Sequence, residues 1–185
     1  MEIIEFFQDI KIPATVIHVI AVVFGMGGAL VSDVLFSFFS KDRKLNTTEI
    51  FTLSILRIVV FYSLILIALS GAIIFFSDIE KYSNSEKFLA KISILLMLLI
   101  NGYVLNKYIW LHLLNKNFFT LKKERNIRKL AFACGAISVI SWLSVCILGI
   151  LDSLDMSYIL IISIYLSVIF LGTIFSLLIE KREFD

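Results

Sequence analysis

Five long apolar runs separated by short polar stretches make up nearly the whole chain, covering about 13–39, 50–77, 88–114, 130–151 and 158–179. Each is at least as long as the about 20 residues that a helix needs to cross about 30 Å of hydrocarbon. Backbone N–H and C=O groups cannot stay unpaired in lipid, so each run is read as a helix. No segment alternates apolar and polar residues as an outer-membrane strand does. One proline and eight glycines leave little for a turn-rich β fold. The expectation is an all-α helical transmembrane bundle, with five membrane-spanning helices in a single integral membrane domain over 1–185.

The polar stretches carry helix punctuation. Pro13 suits the first turn of the first span, where its missing N–H costs nothing. Asn46 with Glu49 three residues on reads as a capping box opening the second span. Asn46-Thr47-Thr48 also spells a glycosylation sequon, for which capping is the competing role. Ser83 and Glu86 repeat the box before the third span. Asp152 to Asp155 reads as a tight turn, with Asp155 as N-cap of the fifth. Ahead of the first span, Ile3, Ile4, Phe6, Phe7 and Ile10 sit between acids without a basic n-region. This stretch is expected to be a retained amphipathic segment at the interface rather than a signal peptide.

Composition adds little to this picture; charge distribution adds an orientation. Of 185 residues 59% are hydrophobic and 17% charged, the net charge is +2, and the mean hydropathy is +0.97. Lys41, Arg43, Lys44, Lys116, Lys122, Lys123, Arg125, Arg128, Lys129, Lys181 and Arg182 all fall on one side of the five-span arrangement, and Lys11, Lys81 and Lys87 on the other. The positive-inside rule then predicts the N-terminus outside and the C-terminus inside, in a bacterial cytoplasmic membrane. The basic loop Asn115–Lys129 is read as topogenic, so the expected partners are the lipid bilayer and a second copy or another membrane protein, with no nucleic acid. Cys134 and Cys146 lie about 18 Å apart on one helix and cannot bridge; both are read as buried apolar residues.

Ionisable groups inside a span are the candidates for function. Asp33 stands eight residues before Lys41, and Arg57 eight residues after Glu49. Antiparallel neighbours would bring both to about 12 Å below the inner surface, and an Asp33–Arg57 ion pair is predicted, as a structural clamp or as part of an ion path. Toward the outer surface, His18, Ser70, Gly71 and Lys91 share a second depth and could line one cavity. A hydrogen-bonded interfacial histidine and a snorkelling lysine are the plainer readings there. His18, Gly25, Ala29 and Ser32 fall on one helical stripe whose small residues permit close helix approach. Asn101 is expected to hydrogen-bond across helices, and His112, beside Tyr108 and Trp110, to sit at the inner interface. No GxSxG, Walker loop, HExxH or paired-carboxylate pattern is present, so no reaction is assigned.

His18 with Gly28 ten residues on, Ser70-Gly71 near the end of the second span, and Phe88-Leu89-Ala90-Lys91 opening the third resemble a superfamily of small membrane proteins. That superfamily includes the HemJ-type protoporphyrinogen oxidases and the CopD-type copper-resistance proteins. The resemblance covers roughly residues 14 to 105. It departs where Gly25-Met26-Gly27-Gly28 replaces the family's Trp and Ala-Gly, and where Asn101 or Gly102 stands in place of a histidine. It implies b-type haem, with His18 as the metal ligand and Ser70, Gly71 and Lys91 around it at an outer-leaflet site. The alternatives are a small ion or solute transporter gated at the Asp33–Arg57 level, and a non-catalytic membrane assembly partner.

In a cysteine-free background, Lys123→Cys is expected to react with an impermeant thiol reagent only when the cytoplasmic face is opened. Labelling of intact cells would reverse the orientation.

Overall fold

The computed structural model describes residues 2–114, 118–151 and 155–184. It is 89% helical, with no strands among the described residues. Asn115–Asn117, where the basic loop begins, and Asp152–Leu154, most of the tight turn read from the sequence, lie outside the described residues. A short helix α1 (Glu2–Asp9) is followed by α2 (Lys11–Phe39), α3 (Thr47–Phe76), a one-turn α4 (Ile79–Ser83), α5 (Glu86–Val104), α6 (Trp110–Leu113), α7 (Arg125–Ile150) and α8 (Tyr158–Phe184). A π-helical segment, Leu105–Ile109, joins α5 to α6, so that Glu86–Leu113 forms one span. Among the described residues, five helices are thus long and apolar enough to cross a membrane, the make-up of a multi-pass membrane protein.

The caps agree with the sequence at one end of the chain and differ at the other. Asn46 Oδ1 accepts from Glu49 N at 2.9 Å and Glu49 Oε2 from Asn46 N at 2.8 Å, the reciprocal box that the spacing predicts. Before α5, however, the cap is Ser85, whose Oγ accepts from Phe88 N; Ser83 instead ends α4. Glu86 is thereby free to accept from Tyr158 N at the start of α8. Ser157, not Asp155, meets the first turn of α8, with Oγ 3.4 Å from Leu160 N. Asp155 is exposed to solvent, so a carboxylate 72 residues away in sequence outcompetes the local one.

The charged ends of α7 and α8 also run further than their composition suggests. α7 begins at Arg125 rather than near 130, and α8 continues to Phe184 rather than ending near 179. Arg128 Nε donates to Glu180 Oε1 at 2.7 Å, Nη1 donates to Phe119 O at 3.1 Å, and the guanidinium lies 4.6 Å over the Phe184 ring. The two charges pair through Oε1, and both side chains are 5% exposed or less; Glu180 Oε2 is buried without a hydrogen bond. Nearby, His112 Nδ1 meets Glu124 Oε2 at 2.7 Å. His112 is therefore tied to a buried carboxylate, which adds a specific partner to the interfacial role read from the sequence.

α7 is the central helix: 28% of its most apolar stretch is buried, against 11% for α8. It packs against α2, α5 and α8, while α3 packs along α2. The α2–α3 seam is built from small residues. A Cβ added at Gly25 would lie 2.5 Å from the Trp142 ring and 3.1 Å from Ser63 Cβ, and one at Gly28 would lie 3.1 Å from Val60. Gly27 faces open space, so the sequence's glycine cluster divides into two packing residues and one bystander. Beyond the seam, α1 leans back on α3 through Phe7 and Phe76, with ring centres 5.5 Å apart.

Gly25→Ala should therefore destabilise the protein by about 1–3 kcal/mol through overpacking. Gly27→Ala should be neutral, or stabilising by up to about 1 kcal/mol, since alanine is the better helix former. Thermal unfolding in mild detergent checks both; equal shifts would contradict the seam.

Candidate functional site

α2 carries polar groups at two depths, and the structure treats them differently. Near its start, His18 Nδ1 lies 3.0 Å from Ser70 Oγ on α3. Ser70 Oγ is also 2.5 Å from Leu66 O and 3.3 Å from Ile67 O. A serine hydroxyl has one proton, and the short contact to Leu66 O uses it. With that proton on Leu66 O, Ser70 is assigned as the acceptor of His18 Nδ1–H, and in the neutral imidazole this leaves Nε2 bearing its lone pair. Gly71 completes the arrangement: a Cβ there would lie 3.5 Å from His18 Cε1, so its bare backbone lets the ring lie close to α3. Half-buried Lys91 on α5 is near enough to interact electrostatically with His18. The four residues singled out at this depth are thus brought to one end of the bundle.

The deeper level is built around a cavity of about 630 Å³. Asp33 and Ser32 from α2, Arg57 from α3, Asn106 and Trp110 from the π segment and α6, and Ser138 from α7 contribute its polar lining. Its existence follows from the packing. α3 is committed to α2, and α5 to α7, so α3 and α5 have almost no close backbone approach. Side chains bridge the gap instead: Phe75 stacks on Phe88 at 5.6 Å at one end, and Arg57 reaches Asn106 at the other. The rim residues Phe61, Tyr62, Leu99 and Tyr103 are 39% to 61% exposed. Because they lie mid-span on α3 and α5, the opening faces the bilayer sideways.

Asp33 and Arg57 both line this cavity, but no ion pair joins them among the described residues. Arg57 Nη1 donates to Asn106 Oδ1 at 3.0 Å, and the guanidinium lies 4.2 Å from the centre of the Trp110 ring. The predicted clamp loses its cation to α5 and α6 because the π segment adds a residue to the turn and brings Asn106 to face α3. Asp33 turns toward α7, where a Cβ on Gly135 would lie 3.4 Å from Oδ1. Asp33 Oδ2 and Arg57 Nε are buried and make no hydrogen bond. Asn101 does cross between helices as the sequence predicts, donating Nδ2 to Cys134 O at 3.0 Å.

The sequence missed two parts of this site. Asn106 reads as one more polar residue near a helix end, and Trp110 as an interfacial aromatic; nothing local signals a π turn that makes them Arg57's partners. Ser138 reads as a small apolar-tolerant residue. Among the described residues no three His, Cys, Asp or Glu side chains converge as a metal site.

No protein-family model, curated protein or solved structure matches this chain. Its own residues carry the functional reading.

Proposed function

We propose that this protein is a membrane-embedded binding protein, oriented with its N-terminus outside, that takes a lipid-soluble molecule sideways from the bilayer into the cavity between α3 and α5. The observation that carries this reading is the cavity itself. Its about 630 Å³ falls within the range of about 300–1,000 Å³ typical of small-molecule sites, which are likewise mostly apolar with a few convergent polar groups. An aromatic, lipid-facing rim suits entry of an apolar tail. Buried polar groups without partners on the inner wall suit a polar end. Of the transporter and cofactor readings, this one accounts for the Asp33–Arg57 level, where a carrier would hold its cargo.

A second reading concerns His18. With Ser70 accepting from Nδ1–H, Nε2 would be free to ligate iron, and a hydrogen bond on the other ring nitrogen is the usual support for such a ligand. His18 would hold b-type haem, Gly71 would leave room for it, and Lys91 would face one of its carboxylates. Bound haem would supply one-electron chemistry. This fit concerns a single iron ligand, and the cavity lining does not include any of the four residues.

Gly102 lines the cavity, and a Cβ there meets only Leu64 Cδ1, at 3.9 Å. Gly102→Phe should therefore fill the space without disrupting the bundle. Lipid extracted from the purified protein should fall at least about tenfold in Gly102→Phe and stay unchanged in Gly27→Phe, a position with open space outside the cavity lining. Equal retention in both would defeat the cavity reading. The haem reading is checked separately: haem-supplemented protein should show a Soret band that His18→Ala abolishes. A colourless, folded protein would rule it out.

A further inference from the structure

The two orphaned groups define the polar end of the occupant, an inference that rests on the cavity reading above. Asp33 Oδ2 is a buried acceptor and Arg57 Nε a buried donor, each with no hydrogen bond. Leaving such groups unpaired away from water is costly. Their simplest mutual solution, an ion pair, is not made, because Asn106 and Trp110 hold the guanidinium on the α5–α6 side. What remains unpartnered on Arg57 includes Nε, which is covered here; turned into the cavity, that edge grips carboxylates and phosphates in a side-on fork. What remains open on Asp33 is an oxygen that requires an N–H or O–H donor.

One molecule answers both the hydrogen bonds and the charges if its polar end carries an anion and a hydrogen-bonding cation close together. A hydrocarbon answers neither. An anionic head without an amine would engage Arg57 and could offer Asp33 at most a neutral hydroxyl, which leaves the carboxylate without a counter-charge. A quaternary ammonium has the charge but no N–H to give Asp33. We propose that the cavity binds an amine-headed phospholipid, with its phosphate on Arg57, its ammonium on Asp33, and its acyl chains leaving between α3 and α5 past Phe61, Tyr62 and Tyr103. Within the cavity the pairing leaves no net charge: Asp33 and Arg57 balance each other, and so do the two ends of the head.

Native mass spectrometry of the purified protein in mild detergent, offered phosphatidylethanolamine, phosphatidylcholine and phosphatidylglycerol with identical chains, tests this without any variant. Phosphatidylethanolamine should be retained about tenfold over the other two, as a charge-assisted hydrogen bond would give. Asp33→Asn, nearly isosteric, should erase that preference while phospholipid still binds, and Arg57→Gln should weaken all three. Equal retention of the three lipids by the unaltered protein, abolished by Gly102→Phe, would overturn the amine assignment and leave the cavity reading standing. A preference that survives Asp33→Asn would also overturn it. Retention unaffected by Gly102→Phe would overturn both.

Discussion

The close approach of α2 and α3 is the constraint on which the rest of this structure depends. Lipid tails are as apolar as leucine, so helices in a membrane gain little by merely hiding hydrophobic surface; they associate where small residues allow close packing or polar groups pair. Gly25 and Gly28 provide that approach, with Trp142 of α7 filling the space over Gly25. Once α3 is fixed to α2, it cannot also lie against α5, which Asn101 holds to α7 by its bond to the Cys134 carbonyl. Two tightly packed units then share α7 as a back wall. The space between them is the cavity, a consequence of where the glycines are.

Much of this was legible in the sequence because it depends on local periodicity. Span number and register follow from apolar runs, and the Asn46–Glu49 box from four adjacent residues. The His18–Ser70–Gly71 cluster follows from depth along antiparallel neighbours. Depth arithmetic succeeded there because α2 and α3 pack without interruption along their length. The same arithmetic placed Asp33 and Arg57 at one level correctly, yet paired them wrongly. Depth does not specify azimuth: Arg57 points toward α5 and Asp33 toward α7, and the π segment that turns Asn106 toward α3 leaves no mark in composition. Arg128 and Glu180 were illegible for another reason. Fifty-two residues apart, each looks like an ordinary charge at a helix end, and only their juxtaposition turns a topogenic arginine into a buried one.

Comparison of the buried charges sharpens what is unusual at the cavity. Arg128 is enclosed by a carboxylate, a backbone carbonyl and an aromatic face, the full set of partners that makes a buried guanidinium tolerable. Arg57 has an aromatic face and a neutral amide, so it has the geometric support without a counter-charge. Asp33 has a glycine beside it that makes room for the carboxylate and no donor on Oδ2. Arg128 and Glu180 have each other as counter-charges, and the two charged groups of the cavity do not.

That difference bears on why the clamp is absent. Were stability the sole demand, Asp33 and Arg57 on neighbouring helices would gain most by meeting, because removing either partner from a buried pair is so costly. Instead, the chain directs the cation to an uncharged asparagine and an indole, and the carboxylate to a bare backbone. In the proposed binding role, the two groups, held apart on the wall of the cavity, would keep their strongest interactions for the occupant. A protein can sustain such an arrangement when the surrounding packing, here the glycine seam and the Asn101 bond, supplies the stability that the unpaired charges withhold.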